Sequence, residues 1–396
     1  MSCGGVAALC GQWDFTSLLR TVRSKWSIAV QVTPYTEDLE AAVQSFNRRL
    51  HAKGETDWRF PESHRPQFPK VEGRVPFQEF FLAVHAGAVR GGYLLTHNQF
   101  ALRGEEVAIA CGPQFNMSEG LIDRNYAMVG VIQAQDALRR QPLMYALGMG
   151  GLDVPLTKLL VAMEWVAFPV PFYFRVLSSS HFFGNITYLR KDPRKRIAMD
   201  FLHYSGLGYL GVRVAQTRLR PIRNRHRRIV VDSFGTWADE IWEKCRFQYS
   251  LVGMRNSSTL NVFYPPRESR VVRLRVSTDA HDIGWAVVLD SQMRGHRQFG
   301  NMRVGSIVDC LAAPEDAVHV VNCATEFLQQ RGVDILVTNQ ASSDWCSALA
   351  ANGYLKGPSN FILALSPQLV HRLLPLKHHA AHIHMNRGDG DGPIHL

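Results

Sequence analysis

The segment VGSIVDCLAAPEDAVHVVNCATEFLQQRGVDILVTNQ, Val304 to Gln340, constrains the chain more than any other. It reads as a buried strand, a tight turn, a helix and a second buried strand. Units of this shape that bind nucleotides place glycines in the turn, whereas this one has Ala312, Ala313, Pro314, Glu315 and Asp316. Pro314 suits a first helical turn, where its missing N–H would have no partner in any case.

The same order of elements occurs twice. In the first half a strand, IAVQV from Ile28, leads to Thr36 as helix cap and to apolar residues Leu39, Ala42, Val43, Phe46 and Leu50 at helical spacing. A polar, Pro-rich loop from His51 to Pro76 follows, then three strand-like runs, FQEFFLAVHAG, GGYLLTHNQFALRG and EEVAIACG. Connections this short make them antiparallel neighbours. A loop with Ser118 and Glu119, a helix from Leu121 to Arg139 and the strand LMYALGM come next. A turn with Gly148, Gly150 and Gly151, the helix PLTKLLVAMEW and the strand PFYFRVL close this half. The second half repeats the order more compactly: VVRLRVST and IGWAVVLDSQMR as a hairpin, MRVGSIVDCLA, the helix from Pro314, VDILVTNQ, the helix SSDWCSALAANG and the strand FILALS.

A chain of 396 residues, 46% hydrophobic and 20% charged, has room for two domains with their own cores. Its seven cysteines are scattered, odd in number and form no C-x-x-C pair, so neither a disulfide framework nor a zinc site is signalled and they read as reduced cytosolic thiols. The start, MSCGGVAALCGQWDF, lacks the basic residues and apolar length of a secretory signal, so the mature chain is expected to begin at Met1. Val154–Leu177 and Ile197–Val212 are apolar but interrupted by Lys158, Glu164, Pro169 and Pro171, and by Asp200 and His203. Neither makes a good transmembrane helix.

The net charge of +10 is concentrated. Between Arg190 and Arg228 twelve Lys/Arg stand against Asp192 and Asp200, so this stretch carries the whole excess. It implies an anionic partner such as a phospholipid membrane surface, a nucleic acid such as RNA, or a phosphorylated substrate. A solvated linker between domains is the plainer reading.

A hairpin sheet feeding strand, helix, strand, helix, strand resembles the GNAT acyltransferase fold. Two copies in one chain resemble tandem-GNAT proteins such as the FemAB-like transferases. The ending SALAANGYLKGPSNFILALS, with Gly353-Tyr354 before a last strand, is similar to the GNAT helix that stops at Gly-Phe. More loosely, the chain resembles GNAT-like proteins of bacterial surface-polysaccharide gene clusters. The resemblance implies an α+β chain with a first domain over 28–177, a basic linker over 178–230 and a second domain over 231–396, after an N-terminal extension over 1–27. Each domain is then a mixed, mostly antiparallel sheet flanked by helices. It also implies an acyl-CoA or other acyl carrier as donor, a small or lipid-linked acceptor, no metal, and a cytoplasmic protein at most peripheral to the inner face of the membrane.

Two family features are missing. The Arg/Gln-x-x-Gly-x-Gly/Ala turn that holds a diphosphate occurs in neither half; Glu315 and Asp316 occupy the first helical turn in one, Ser118 and Glu119 the matching place in the other. Carboxylates there satisfy the helix dipole and repel a diphosphate. The acidic tyrosine expected four residues before Gly353 is Leu349. Either the donor is held differently, as in enzymes that use aminoacyl-tRNA, or one or both halves have lost the activity, or Gly148, Gly150 and Gly151 form the anion site. A plain tight turn explains those glycines equally well.

Asp309 stands where a catalytic carboxylate on a central strand is expected, although an Asp near a strand end is also a common turn residue. Asn339, Asp344 and Trp345 lie at the carboxyl end of VDILVTNQ, where open sheets gather ligands; capping by Ser343 or Asp344 with Trp345 in the core is the alternative. Ser118 and Glu119 complete the candidate substrate-binding set. The tail HHAAHIHMNRGDGDGPIHL puts His382 and His384 on one strand face near Asp389 and Asp391, without the spacing of a zinc site. Two functions follow: transfer of an acyl group to an amine or hydroxyl on a sugar, lipid-linked or peptide precursor, or non-catalytic binding of a polymer, lipid or protein.

Overall fold

The computed structural model describes residues 30–53, 59–217, 226–266, 268 and 270–390. The N-terminal extension, Ile28, Arg218, Arg220, Arg223, Arg225, Asp391 and His395 lie outside the described residues. The chain forms a mixed α/β structure with two sheets, of nine and seven strands. It divides into two compact units, one from the described residues of Met1–His64, Phe80–Tyr93 and Phe115–Asp136, the other from those of Arg65–Glu79, Leu94–Gln114 and Ala137–Leu396.

In the first unit β1 (Gln31–Pro34) pairs antiparallel with β2 (Phe77–His85), Gln31 opposite Val84 and Pro34 opposite Phe81. Helix α1 (Glu40–Ala52) buries Val43, Phe46 and Leu50, the face its spacing predicts. Asn47 is buried beside them because its carboxamide meets both backbone groups of Phe60, at 2.9 and 3.0 Å. Thr36 precedes a short 3-10 turn but makes no side-chain cap. Strands β2, β3 (Ala88–Leu102) and β4 (Glu105–Ser118) contribute residues to both units. The helix expected from Leu121 begins later, as α2 (Val129–Arg140). Two 3-10 turns precede it, because Ser118 accepts from the Gly120 amide and Asp123 from the Asn125 amide. These local bonds compete with the helical ladder.

The second unit continues with β5 (Met144–Gly148), α3 (Pro155–Ala162), β6 (Val166–Pro169), β7 (Phe172–Val176), α4 (Ser179–Asn185), α5 (Thr187–Arg190), α6 (Pro193–Tyr204) and α7 (Leu207–Thr217). Then come β8 (Arg227–Val231), α8 (Thr236–Cys245), β9 (Leu251–Gly253), α9 (Ser257–Phe263), β10 (Val271–Ser277), β11 (Asp282–Gln292), β12 (Arg303–Ala312) and α10 (Ala317–Gln330). The chain ends on β13 (Ile335–Asn339), α11 (Ser343–Ala351), β14 (Leu355–Gly357), β15 (Ile362–Leu365), α12 (Pro367–Arg372), α13 (Leu376–His379) and β16 (Ile383–His384). No helix among the described residues is long and apolar enough to cross a membrane.

The seven-stranded sheet runs β14-β7-β13-β12-β11-β10-β8, and only β12 and β13 in it are parallel. Its core is made by Trp285, Leu311, Val320 and Leu336 with Trp242 and Trp345. In the other sheet β4 and β5 are parallel, and β15 lies antiparallel between β5 and β6.

The closing strands are exchanged relative to the sequence reading, which ended each half with its own strand. Phe172–Val176 pairs with β13 and β14, not with the strands before it, while Ile362–Leu365 pairs with β5 and β6. The chain changes sheet through Val170–Pro171 and again before Ile362. The two crossing segments bind one another, Val170 N–H to Phe361 O at 2.8 Å and Ser359 Oγ to Val170 O. Each strand is a short apolar run that fits either sheet, so partner choice is a long-range matter that periodicity does not encode.

Candidate functional site

The parallel ladder between β12 and β13 is three pairs long: Val304 with Ile335, Gly305 with Leu336 and Ser306 with Val337. On the other side of β12, Val287 faces Asp309 while Val288 faces Ile307, so Val308 is an inserted residue. Such a bulge bends its strand and re-aims the side chains after it. Beyond Ser306 a side chain takes over, Thr338 Oγ1 donating to Ile307 O at 2.9 Å.

Past this point the chain's own C-terminal segment joins the two strands. Ala341 N–H donates to Met385 O at 2.9 Å, Gln340 forms an antiparallel bridge with Asn386, and His384 Nε2 lies 2.8 Å from Cys310 O. The segment is held from behind by β9, which pairs parallel with β16 and antiparallel with Phe100–Leu102 of β3. Backbone groups left by the short ladder thus find extended peptide as partner.

A buried charge cluster fixes the segment. Arg255, on the loop after β9, donates from Nε to Asp309 Oδ1 at 3.0 Å and from Nη2 to both oxygens of Asp389 at 2.9 and 2.7 Å. Asp309 also accepts from Tyr264 Oη at 2.9 Å, from Asn386 Nδ2 at 2.8 Å and from the Cys310 amide at 2.8 Å. The Asn386–Asp389 turn is a reciprocal capping box, and Tyr145 Oη donates to Asp389 O at 2.8 Å. Gly388 is required here, because a Cβ would sit 2.5 Å from Tyr264 Oη.

The two carboxylates share one guanidinium. Burial pushes the Asp389 carboxyl up to about 6, against the pull of Arg255 and with the added push of Asp309. Burial also raises Tyr264 well above its usual range, and Asp309 adds to it. Burial alone would make Arg255 easier to deprotonate, but Asp309 and Asp389 outweigh it and hold the proton more tightly. His384 is driven the other way, down to about 3, by burial and by Arg255. It is neutral and its ring stacks on those of both Tyr249 and Trp345, with centroids at 4.8 and 5.3 Å.

The C-terminal segment is the common partner of three sequence-predicted residues. Asp309 meets Asn386, Trp345 stacks on His384, and Asp344 lies 3.5 Å from His382 Nδ1. Trp345 is fully buried with its indole donating to Tyr249 Oη at 2.9 Å, so it belongs to the core. The cap position of α11 is Ser342, not Ser343 or Asp344, and it makes no side-chain cap. Asn339 is buried and turns elsewhere, its Nδ2 3.4 Å from Pro171 O. Glu315 and Asp316 stand in the 3-10 turn before α10, where they were expected to oppose an anion.

Ser118 and Glu119 are in the first unit. Glu119 is buried between two arginines, accepting from Arg49 Nε at 2.8 Å and Arg90 Nη1 at 2.9 Å. Its charge is therefore compensated, which removes the repulsion expected of it. At the end of β5, Gly148, Gly150 and Gly151 have φ of 108°, 85° and 131°, conformations costly to other residues. Thr157 Oγ1 donates to Gly151 O at 2.8 Å and ties the turn to α3. The parallel ladder of β4 and β5 is shorter still, Ala110 with Met144 and Cys111 with Tyr145.

Arg255, Tyr249, Tyr264 and Asn386 carry no motif, and their burial arises from contacts far apart in sequence. Among the described residues no group of three or more His, Cys, Asp or Glu side chains could hold a metal ion.

No protein-family model matches the sequence, and no curated protein does. Among solved structures, the chain is similar to a GCN5-related N-acetyltransferase from Anabaena variabilis ATCC 29413, at 8% identity and TM-score 0.49, over 85% of this chain and 72% of that one. Saccharomyces cerevisiae N-myristoyltransferase with bound myristoyl-CoA and inhibitors gives 8% and 0.48, over 85% and 79%. A tandem GNAT protein from the clavulanic acid biosynthesis pathway gives 12% and 0.45, over 85% and 98%. At these values the likeness is one of arrangement and brings no residue role or substrate to this chain.

Proposed function

We propose that the chain is an acyltransferase that moves an acyl group from a thioester or ester carrier to an amine. The observation that carries this reading is the pair of truncated parallel ladders, β4 with β5 and β12 with β13. Ligands gather at the carboxyl ends of parallel strands, where backbone groups released from the ladder point into the gap. The gap in the seven-stranded sheet accepts an extended, amide-bearing peptide, the chain's own residues 384–386. An acyl carrier with an amide-bearing arm offers the same hydrogen bonds. The matching place beside β4 and β5, bordered by the Gly148–Gly151 turn, is the proposed donor site.

The reaction needs a group to take the proton from the attacking amine. Asp309 already accepts four hydrogen bonds, so its proposed role is to anchor the C-terminal segment. Asn339, bound to Pro171, is proposed to orient the end of β13. Asp344, with its side chain 31% exposed and next to the half-exposed His382, is the proposed proton acceptor. A sugar, a lipid-linked precursor or a peptide terminus would each supply the acceptor, within the surface-polysaccharide setting of the resemblance.

The filled gap between β12 and β13 favours a second reading, a non-catalytic protein that holds a polymer or protein partner. Native mass spectrometry with acetyl-CoA and longer acyl-CoA thioesters separates the two. The transferase reading expects a bound thioester and an Asp344→Asn variant that folds normally while turnover falls about 10²–10⁴-fold. Absence of thioester binding with every chain length would leave the binding-protein reading standing.

A further inference from the structure

Within the basic stretch, Pro193–Tyr204 and Leu207–Thr217 form α6 and α7, whose outward faces are apolar. On α6, Ile197, Phe201 and Tyr204 are 72%, 59% and 83% exposed, and their spacing puts them on one stripe. On α7, Leu207, Leu210 and Val214 are 49%, 55% and 63% exposed and form a second stripe. The core does not use these residues. The inner faces do the packing: Leu202, Met199 and Val212 lie against a cluster with Phe182 and Phe183, and a Cβ on Gly208 would sit 2.4 Å from the Phe183 ring. The helix pair is therefore seated by one side and presents a second apolar side outward.

The charge around these stripes is cationic. Lys191, Arg194, Lys195 and Arg196 are exposed at the start of α6, and Arg194 is one turn before Ile197. Of the two acids, Asp200 is paired with Arg190, and Asp192 caps α6 by accepting from the Arg194 and Lys195 amides.

We propose that the outward face of α6 and α7 docks on an anionic lipid surface. Apolar and aromatic side chains enter the boundary between headgroups and acyl chains, while the cationic end of α6 meets lipid phosphate; this combination characterises helices that lie in the membrane interface. RNA would satisfy the cations but leave Ile197, Leu207, Leu210 and Val214 facing water. A second copy of the chain would bring like charges together. The lipid surface alone uses both features, and the proposal stands whether or not the chain transfers an acyl group.

The test is co-sedimentation of the full chain with vesicles of phosphatidylcholine containing phosphatidylglycerol, and with phosphatidylcholine alone. Binding is expected to the anionic vesicles, weakening with salt. Ile197→Ser, Phe201→Ser, Leu210→Ser and Val214→Ser combined should lower it about tenfold or more while the circular dichroism spectrum is retained, because all four are exposed. Arg194→Gln, Lys195→Gln and Arg196→Gln combined should abolish the preference for anionic lipid. Failure of the parent to sediment with anionic vesicles overturns the proposal. So does equal binding by the parent and the four-serine variant, which would indicate charge alone. A parent dimer in sedimentation velocity that the serine variant loses, without vesicle binding, would assign the face to a second copy and equally overturn it.

Discussion

Asn386 donates its side-chain amide to Asp309 Oδ1 at 2.8 Å, across 77 positions of sequence. The bond joins the C-terminal segment to the bulged central strand inside a site where neither group reaches water. Asn386→Leu keeps approximate volume but leaves Asp309 short of a partner and breaks the capping box with Asp389. Urea unfolding should show a loss of about 1–3 kcal/mol, the range for a buried polar group deprived of its partner. A loss below experimental scatter would mean that the segment does not secure β12.

Removing the shared cation should cost more. Arg255→Met leaves Asp309 and Asp389 buried without a counter-charge, for which about 3–5 kcal/mol is the usual penalty. That variant should recover stability in acid, where a carboxyl can take up a proton. A stability loss independent of pH would point to packing instead.

The pH dependence of the parent follows from Asp389. Its carboxyl is raised to about 6 from an ordinary 3.8 by burial, so the folded chain holds this proton more tightly than the unfolded one. Stability from this group is present below the ordinary value and is lost as pH rises from about 4 to about 6, after which it is level. Asp389→Asn, a neutral isostere of the protonated acid, should remove that fall. Urea midpoints across this range give the comparison, and parallel curves for parent and variant would reject the assignment.

Glu119 has the opposite sign. Burial pushes its carboxyl up, but hydrogen bonds and charge from Arg49 and Arg90 outweigh this and leave it below the usual value. Its contribution is present above about 4.5 and fades as pH falls below it. Glu119→Gln should destabilise the first unit at neutral pH by about 1–3 kcal/mol, the scale of hydrogen bonds to charged groups. The difference from the parent should shrink in acid, and hydrogen exchange at the β3 and α1 amides would localise it.

Element order was legible in the sequence because apolar spacing and turn residues are local. Val43, Phe46 and Leu50 face inward as their periodicity demands, and Pro314 opens the turn before α10. Of the candidate residues, some are brought together by the fold. Asp309, Asp344 and Trp345 do face one feature, but it is the C-terminal segment, whose histidines and acids lack the spacing of a zinc site. Arg255 could not be read at all. A single Arg after a three-residue strand signals exposure, and only Asp309 and Asp389, brought from distant parts of the chain, make its burial tolerable. The sheet partners of β7 and β15 were hidden for the same reason, since their pairing depends on contacts that the run of residues does not contain.

That exchange yields the last prediction. β5 and β6 are bridged by β15, and β13 and β14 by β7, so each sheet is completed by a strand from the other half of the sequence. A fragment ending within 218–225 would expose facing edges of β5 and β6, and one beginning there would expose those of β13 and β14. Unpaired apolar edges associate with other chains. Each fragment expressed alone should therefore be insoluble, whereas the two expressed together should co-purify as a one-to-one complex, because only together do they supply the missing strands. Two fragments that are separately soluble, monomeric and cooperatively folded would contradict the exchange and restore the reading in which each half closes its own sheet.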